Sequence, residues 1–419
     1  MISAFAGTQP IAGQFASVLT GAAIAPLVYT LVLVYRPDGW RGGLLAGLLT
    51  AVAAQLLLSS IVVMSDVAGL FWATLSALCL CRYWRQWQMR LVWSLTAVTL
   101  SLAILTRWAY GLLLLPWAVS SLLAAREARL SWKQIGVAGG TAVLIGILII
   151  GIQFLGKTVG EPSHIVDLQV VRWQPLNAFR QVTQTSDGTF YFERPIGLYY
   201  LMPLAHPAYI FPLFFPLLIG GLLALRRQPW AATVLLVGWP LTVYLFLAGI
   251  AWQNWRFPLT LFVPLLVLVG IGFEWAWERL STRWQTVLIL YCALALLGSV
   301  AWAVRDVGNF AEWANARKET AVTIATTLPQ DATLIAFDLT GTLQHYTTVN
   351  TREIFNLTET DLANIVNEET AVYLLLNPDN IQSQWTGKSP ERNFTWLQTH
   401  TTLTPLHNYG RLTPLSGGD

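Results

Sequence analysis

Three charged side chains stand where long apolar runs end: Asp66 in LLLSSIVVMSDVAGLF, Arg107 in ILTRWAYGLLLLP and Arg256 in WQNWRFPLTLFVP. Guanidinium groups at such positions suit the holding of a phosphate at a membrane surface, because their planar donors match its oxygens. A carboxylate beside them could take a proton from an attacking hydroxyl. It could equally hold a divalent cation, Mg or Mn, through its oxygens. Each residue also has a plainer use. Asp66 could cap a helix by accepting a backbone N–H bond, and each arginine could simply snorkel to the interface. Asp66 is the sole acidic residue between Asp38 and Glu127.

The elements that must position these groups are membrane spans. The 419 residues are 55% hydrophobic and only 11% charged, against about a quarter charged in soluble domains. Twenty tryptophans, many flanking apolar runs, fit an interfacial aromatic belt. The net charge of +3 is too small to argue for a nucleic-acid partner. Three cysteines, Cys79, Cys81 and Cys292, lie within apolar runs and form neither a disulfide framework nor a metal pattern. Apolar length predicts ten spans, about 16–35, 42–62, 66–84, 91–106, 108–125, 134–155, 206–225, 229–249, 258–277 and 284–304. The loops after the odd-numbered spans are short and basic: Arg36 and Arg41, Arg82, Arg85 and Arg90, Arg126, Arg129 and Lys133, Arg226 and Arg227, Arg279 and Arg283. The positive-inside rule makes them cytoplasmic and puts both chain ends outside. An outside N-terminus without a basic anchor suggests a further span and outer loop ahead of Met1.

On the outer side the topology leaves a long loop, 156–205, and everything after Val304. Long loops of this kind are usually functional. This one carries His164, Asp167, Arg172, Arg180, Asp187, Glu193 and Arg194 among Trp173, Tyr191, Tyr199 and Tyr200. That mixture suits an interfacial segment, and Glu193 and Arg194 are its candidates for substrate contact. The domain division is thus a transmembrane region, 1–304, and a soluble region, 305–419.

The soluble region reads as a small α/β domain. Helices are expected over 309–327 and 358–368, the latter capped by Thr358 with Asp361 three residues on. Strands are expected over 332–337 and 371–376. Within it, AFDLTGTL (336–343) comes close to an aspartate-nucleophile phosphohydrolase motif, but only Lys388 and scattered acids follow it, too little for the lysine and acidic pair such chemistry needs. Asn356-Leu-Thr and Asn393-Phe-Thr fit the glycosylation acceptor pattern and imply surface exposure. Inside the spans the one charge away from an end is Glu274. Ion-coupled transporters place ionisable residues near the midplane, so a transporter is disfavoured. A glycan flippase would need a polar path, for which the spans offer only Gln55 and Gln153. A non-catalytic envelope-assembly protein is the other alternative.

The run LLLSSIVVMSDVAGLFWATLSAL resembles the helix–Ser-Asp–helix signature of GT-C-type membrane glycosyltransferases, which include protein O-mannosyltransferases, aminoarabinose transferases and lipopolysaccharide core transferases. ASVLTGAAIAPLVYTLVLVYR is similar to the helix after that family's first outer loop, SLAILTRWAYGLLLLPWAV to its middle helical pair, and NWRFPLTLFVPLLVLVG to its late Arg-aromatic-Pro helix. The resemblance implies an all-α polytopic fold of about ten spans in the inner (plasma) membrane, with a small extracytoplasmic α/β domain. It implies a polyprenyl-phosphate sugar donor and a lipid, glycan or protein acceptor hydroxyl, attacked on the outer face with inversion. Asp66 matches the family's second acid and becomes the catalytic candidate, while Arg107 and Arg256 are candidates for the donor phosphate. The family's principal acid lies on a first outer loop that this sequence lacks, which again suggests a missing N-terminal segment.

Overall fold

The computed structural model describes residues 10–404, apart from 63, 83–88, 129–130, 155–171, 186–187 and 370. His164, Asp167, Asp187, Arg85, Arg129 and the expectation about Met1 lie outside the described residues. The chain divides into two compact units. One comprises Met1–Glu161, Gly197–Gly249 and Asn254–Val307; the other comprises Pro162–Ile196, Ile250–Gln253 and Gly308–Asp419.

The first unit is helical. Its elements are α1 (Pro10–Tyr35), α2 (Trp40–Val52), α3 (Ala54–Ile61), α4 (Ser65–Arg82), α5 (Met89–Thr106), α6 (Leu114–Glu127), α7 (Trp132–Phe154), α8 (Ile196–Leu201), α9 (Phe215–Ala224), α10 (Trp230–Gly249) and α11 (Phe262–Trp277), followed by the start of α12 (Thr282–Thr327). Among the described residues six helices are long and apolar enough to cross a membrane, seven where the α2–α3 pair, bent by 50°, counts as one span. The chain is a multi-pass membrane protein. The ten expected spans do not all emerge as long helices: α4 and α5 yield only shorter apolar helices. The expected span 206–225 is broken, because Pro207 and Pro212 fall in its first half and only Phe215–Ala224, with Pro216 tolerated in its first turn, is α-helical.

At the centre of this unit lies α11, where every residue from Phe262 to Glu274 is buried. Lipid tails are as apolar as leucine, so spans associate by close packing at small residues. A Cβ on Gly272 would collide with the Leu217 carbonyl on α9, and one on Gly221 with the Leu268 carbonyl on α11. On another side, a Cβ on Gly270 would come 2.6 Å from the carbonyl oxygen of Gly42 on α2. Glu274, the one charge expected inside the spans, is 4% exposed. Its Oε1 accepts the backbone N–H of Gly42 at 2.6 Å. It satisfies an otherwise orphaned donor in the first turn of α2, where an anion also meets the positive end of the helix dipole. By contrast α7 leaves Val143, Leu144, Ile147 and Leu148 exposed, as a lipid-facing helix does.

The second unit holds a two-stranded antiparallel hairpin, β1 (Val182–Thr185) with β2 (Gly188–Tyr191), and a three-stranded parallel sheet of order β4-β3-β5. The sheet strands are β3 (Thr333–Ala336), β4 (Asn350–Glu353) and β5 (Val372–Leu375). Four helices accompany them: α13 (Thr340–Tyr346), α14 (Glu359–Glu368), α15 (Pro378–Gln384) and α16 (Ser389–His400). The period-two alternation of β3 builds a core on each face. Ile335 packs with Ile354, Leu362, Ile381 and Phe394, whereas Leu334 and Ala336 pack with Ala321, Ile324 and Leu343. Thr358 and Asp361 form the expected capping box of α14. The expected helix 309–327 is the continuation of α12, since no proline interrupts 282–327. Asn393 corrects the exposure its acceptor pattern implied: it is 4% exposed, and its Nδ2 donates to the carbonyls of Ile354 (2.8 Å) and Leu357 (2.7 Å). Gly188, at φ +103°, could carry no side chain without striking the Gln384 carbonyl on α15. The hairpin therefore docks on α15, and the described part of the long loop up to Ile196 groups with the C-terminal region.

Candidate functional site

Asp66 sits in the first turn of α4 and is 3% exposed. Among the described residues no backbone N–H donates to its carboxylate, so it is not serving as a helix cap. It is ion-paired with Arg107, and Arg256 Nη1 stands 3.8 Å from Asp66 Oδ2. The three charged residues singled out in the sequence, separated by up to 190 positions, thus converge on one point.

Each arrives there from a break in helical structure. Arg107 has an extended backbone (φ −153°, ψ 115°) between α5 and a 3₁₀ turn, Trp108–Leu113. Its N–H closes α5 on the Ala103 carbonyl at 2.8 Å, and its guanidinium lies over the Phe257 ring, 5.2 Å from the centroid. Arg256 precedes a second 3₁₀ turn, Phe257–Leu261, that leads into α11. Asp66 follows the α2–α3 kink. There the chain turns at Ala53 (φ −67°, ψ 116°) and the Gln55 N–H is satisfied by the Ala208 carbonyl at 2.9 Å. Such interruptions survive at membrane depth only where other protein groups re-satisfy the backbone.

The two arginines are not equivalent. Arg107 has a side chain 16% exposed and is locked to Asp66; Arg256 is 40% exposed, and its Nη1 makes a contact with Met64 Sδ at 2.8 Å besides the longer approach to Asp66. Burial pushes both guanidinium groups down from their ordinary value, and the Arg256 charge adds to the effect on Arg107. Both nonetheless stay cationic, since arginine does not deprotonate in proteins. Among the described residues the cluster carries one carboxylate against two guanidinium groups, an excess of one positive charge. An anion is the ligand this arrangement favours.

Several partners had no signal in the sequence. Tyr110 is 1% exposed and donates to the Asp66 carbonyl at 3.1 Å. It lies against Gly69, where a Cβ would strike its ring. Tyr200 and Tyr209 are buried beside the 254–256 segment. Trp255 is surrounded edge-on by His206 (4.6 Å between ring centroids), Tyr209 (5.4 Å) and Tyr199 (5.5 Å). Only the density of aromatics between 199 and 211 could have hinted at this. Glu193 and Arg194 belong to the other compact unit, where both are exposed. Their carbonyls accept from Gln181 Nε2 (2.8 Å) and Gln253 Nε2 (2.6 Å). A divalent cation fits the Asp66 cluster poorly, because both carboxylate oxygens face guanidinium groups. Among the described residues no three His, Cys, Asp or Glu side chains gather as a metal site.

Comparison with solved structures places this architecture. The chain is similar to ArnT from Cupriavidus metallidurans bound to undecaprenyl phosphate, with 12% identity and a TM-score of 0.58 over 97% of this chain and 84% of that one. The apo state of the same protein matches with 13% identity and a TM-score of 0.54, over 88% and 76%. The archaeal oligosaccharyltransferase AglB from Archaeoglobus fulgidus, in complex with an inhibitory peptide and a dolichol-phosphate, matches with 14% identity and a TM-score of 0.50, over 83% of this chain and 54% of that one. No curated protein matches by sequence. The chain shares the fold of these solved structures, and its residues 4–156 match the family model described as dolichyl-phosphate-mannose-protein mannosyltransferase.

Proposed function

We propose that the chain transfers a sugar from a polyprenyl-phosphate donor to an acceptor hydroxyl at the outer face of the membrane. The observation that carries this reading is the convergence of Arg107 and Arg256 on buried Asp66, two guanidinium groups against one carboxylate among the described residues. The lipid phosphates bound by the two similar proteins, undecaprenyl phosphate and dolichol phosphate, are the class of anion such a cluster would take. In the resting state Asp66 holds the guanidinium groups. A donor phosphate entering from the exposed side of Arg256 competes for them and loosens the carboxylate. The acceptor oxygen then attacks the anomeric carbon and the bond to the phosphate oxygen breaks. The phosphate leaves with the electron pair, stabilised by the arginines, and the acceptor proton passes to Asp66. Direct displacement inverts the anomeric centre. The loop residues Glu193 and Arg194 are assigned to substrate contact.

The experiment supplies purified, reconstituted protein with undecaprenyl-phosphate-linked radiolabelled hexoses and pentoses and membrane extract as acceptor. Label transferred to acceptor with release of undecaprenyl phosphate, lost on Asp66→Asn, is the expected result. Tight binding of undecaprenyl phosphate without turnover of any donor would overturn transfer, and absence of binding would overturn the phosphate site itself.

A further inference from the structure

The Arg256 side chain is weakly held, yet its backbone is held thoroughly. The Asn254 N–H donates to the Tyr200 hydroxyl at 3.2 Å, and the Arg256 N–H donates to Asn254 Oδ1 at 3.0 Å. The Tyr209 hydroxyl donates to the Trp255 carbonyl. The Phe257 N–H returns to the Asn254 carbonyl at 3.1 Å, and the Leu259 N–H to the Arg256 carbonyl at 3.1 Å. Tyr200 and Tyr209 are 1% and 3% exposed, so these hydroxyls are fixed by surrounding protein and spend their bonding on a segment that would otherwise be an irregular loop. Among the described residues the Arg256 guanidinium itself is held less firmly, by a contact with Met64 Sδ at 2.8 Å and a 3.8 Å approach to its carboxylate, with its side chain 40% exposed. Its direction is therefore set by where the 254–256 backbone lies.

We infer that Tyr200, Asn254 and Tyr209 are positioning residues that aim Arg256 at the lipid phosphate. The inference rests on the proposed phosphate site. It divides the labour between the two arginines: Arg107 is the counter-ion that keeps Asp66 in place, and Arg256 is the group that grips the incoming anion. An arginine aimed in advance loses less freedom on binding than one that must find its ligand. Removing either hydroxyl leaves the aromatic packing around Trp255 intact but frees a backbone group and loosens the aim.

The test measures undecaprenyl phosphate binding to the purified full chain, with undecaprenol, the same lipid lacking phosphate, as control. Arg256→Ala establishes the site. Tyr209→Phe and Tyr200→Phe, which keep the ring, are each expected to weaken undecaprenyl phosphate by about tenfold, the worth of one hydrogen bond, with undecaprenol binding unchanged. In an Arg256→Ala background the same two changes add nothing. Should Arg256→Ala leave phosphate-lipid affinity untouched, the phosphate site fails. Should it weaken affinity while neither tyrosine change does, or should the tyrosine changes weaken both lipids equally, positioning fails and the hydroxyls are structural. Asn254→Ala repeats the measurement should a tyrosine variant not fold.

Discussion

Asp66 and Arg107 form an ion pair whose side chains are 5% and 16% exposed, joining the first turn of α4 to the break after α5. A pair this buried is weak evidence of net stabilisation, but removing one partner strands the other charge at a cost of about 3–5 kcal/mol. Asp66→Asn should therefore lower the thermal midpoint in detergent and abolish sugar transfer together. The double variant Asp66→Asn with Arg107→Gln is expected to recover most of the midpoint and none of the transfer. Recovery of both would reduce the pair to scaffolding.

Arg256 should behave differently. Its exposed, loosely paired side chain contributes little to the fold, so Arg256→Lys is expected to shift stability by no more than about 1 kcal/mol. Lysine offers a point charge where arginine offers a planar fork. Undecaprenyl phosphate binding should fall by about tenfold or more at unchanged thermal midpoint, measured by titration of the purified protein. An unchanged affinity would mean that the guanidinium geometry is not used.

Part of this was legible in the sequence. Asp66, Arg107 and Arg256 could be singled out before any contact was known, because charge is sparse among the apolar runs and these three fall at the ends the topology assigns to one side. Their tyrosine supports could not, because Tyr110, Tyr200 and Tyr209 act through single hydroxyls on backbone groups 44 or more positions away, which leave no local pattern. Hydropathy also overstated continuity. It cannot see that prolines unwind 206–214, or that the chain kinks at Ala53 to send the Gln55 N–H to Ala208. In the soluble region β3 and β5 were evident from apolar runs. The edge strand β4, Asn-Thr-Arg-Glu, was missed because it buries only one side chain fully, that of Thr351. The hairpin 182–191 was hidden in the same way, in a loop whose strands are four residues long.

Glycine positions separate packing from permissiveness. Gly69→Ala puts a methyl into the Tyr110 ring, and Gly272→Ala puts one into the Leu217 backbone carbonyl, which cannot move aside as a side chain would. Overpacking of this kind costs about 1–3 kcal/mol, more where backbone must shift. Gly136 on α7 has nothing within 4 Å of such a methyl, and alanine there should gain about 0.5–1 kcal/mol of helix propensity. The expected order of thermal midpoints is Gly136→Ala at or above the native chain, then Gly69→Ala, then Gly272→Ala. A neutral Gly272→Ala would contradict the close approach of α9 and α11.

Glu353, at the end of β4, provides a pH handle in the second compact unit. It is half-buried, and burial raises its carboxyl above the ordinary range, with the nearby Asp338 carboxylate adding to the effect. For a group whose folded value is raised, the folded state holds the proton more tightly than the unfolded chain. Its contribution is fully present below the unfolded value and is lost as pH climbs through the folded one. Hydrogen exchange of the β3 and β4 amides should therefore slow as pH drops from neutral towards the ordinary carboxylate range, after correction for intrinsic rates. Glu353→Gln, neutral at every pH, should flatten that dependence and protect the two strands at pH 7. Equal pH dependence in both proteins would place the titrating group elsewhere.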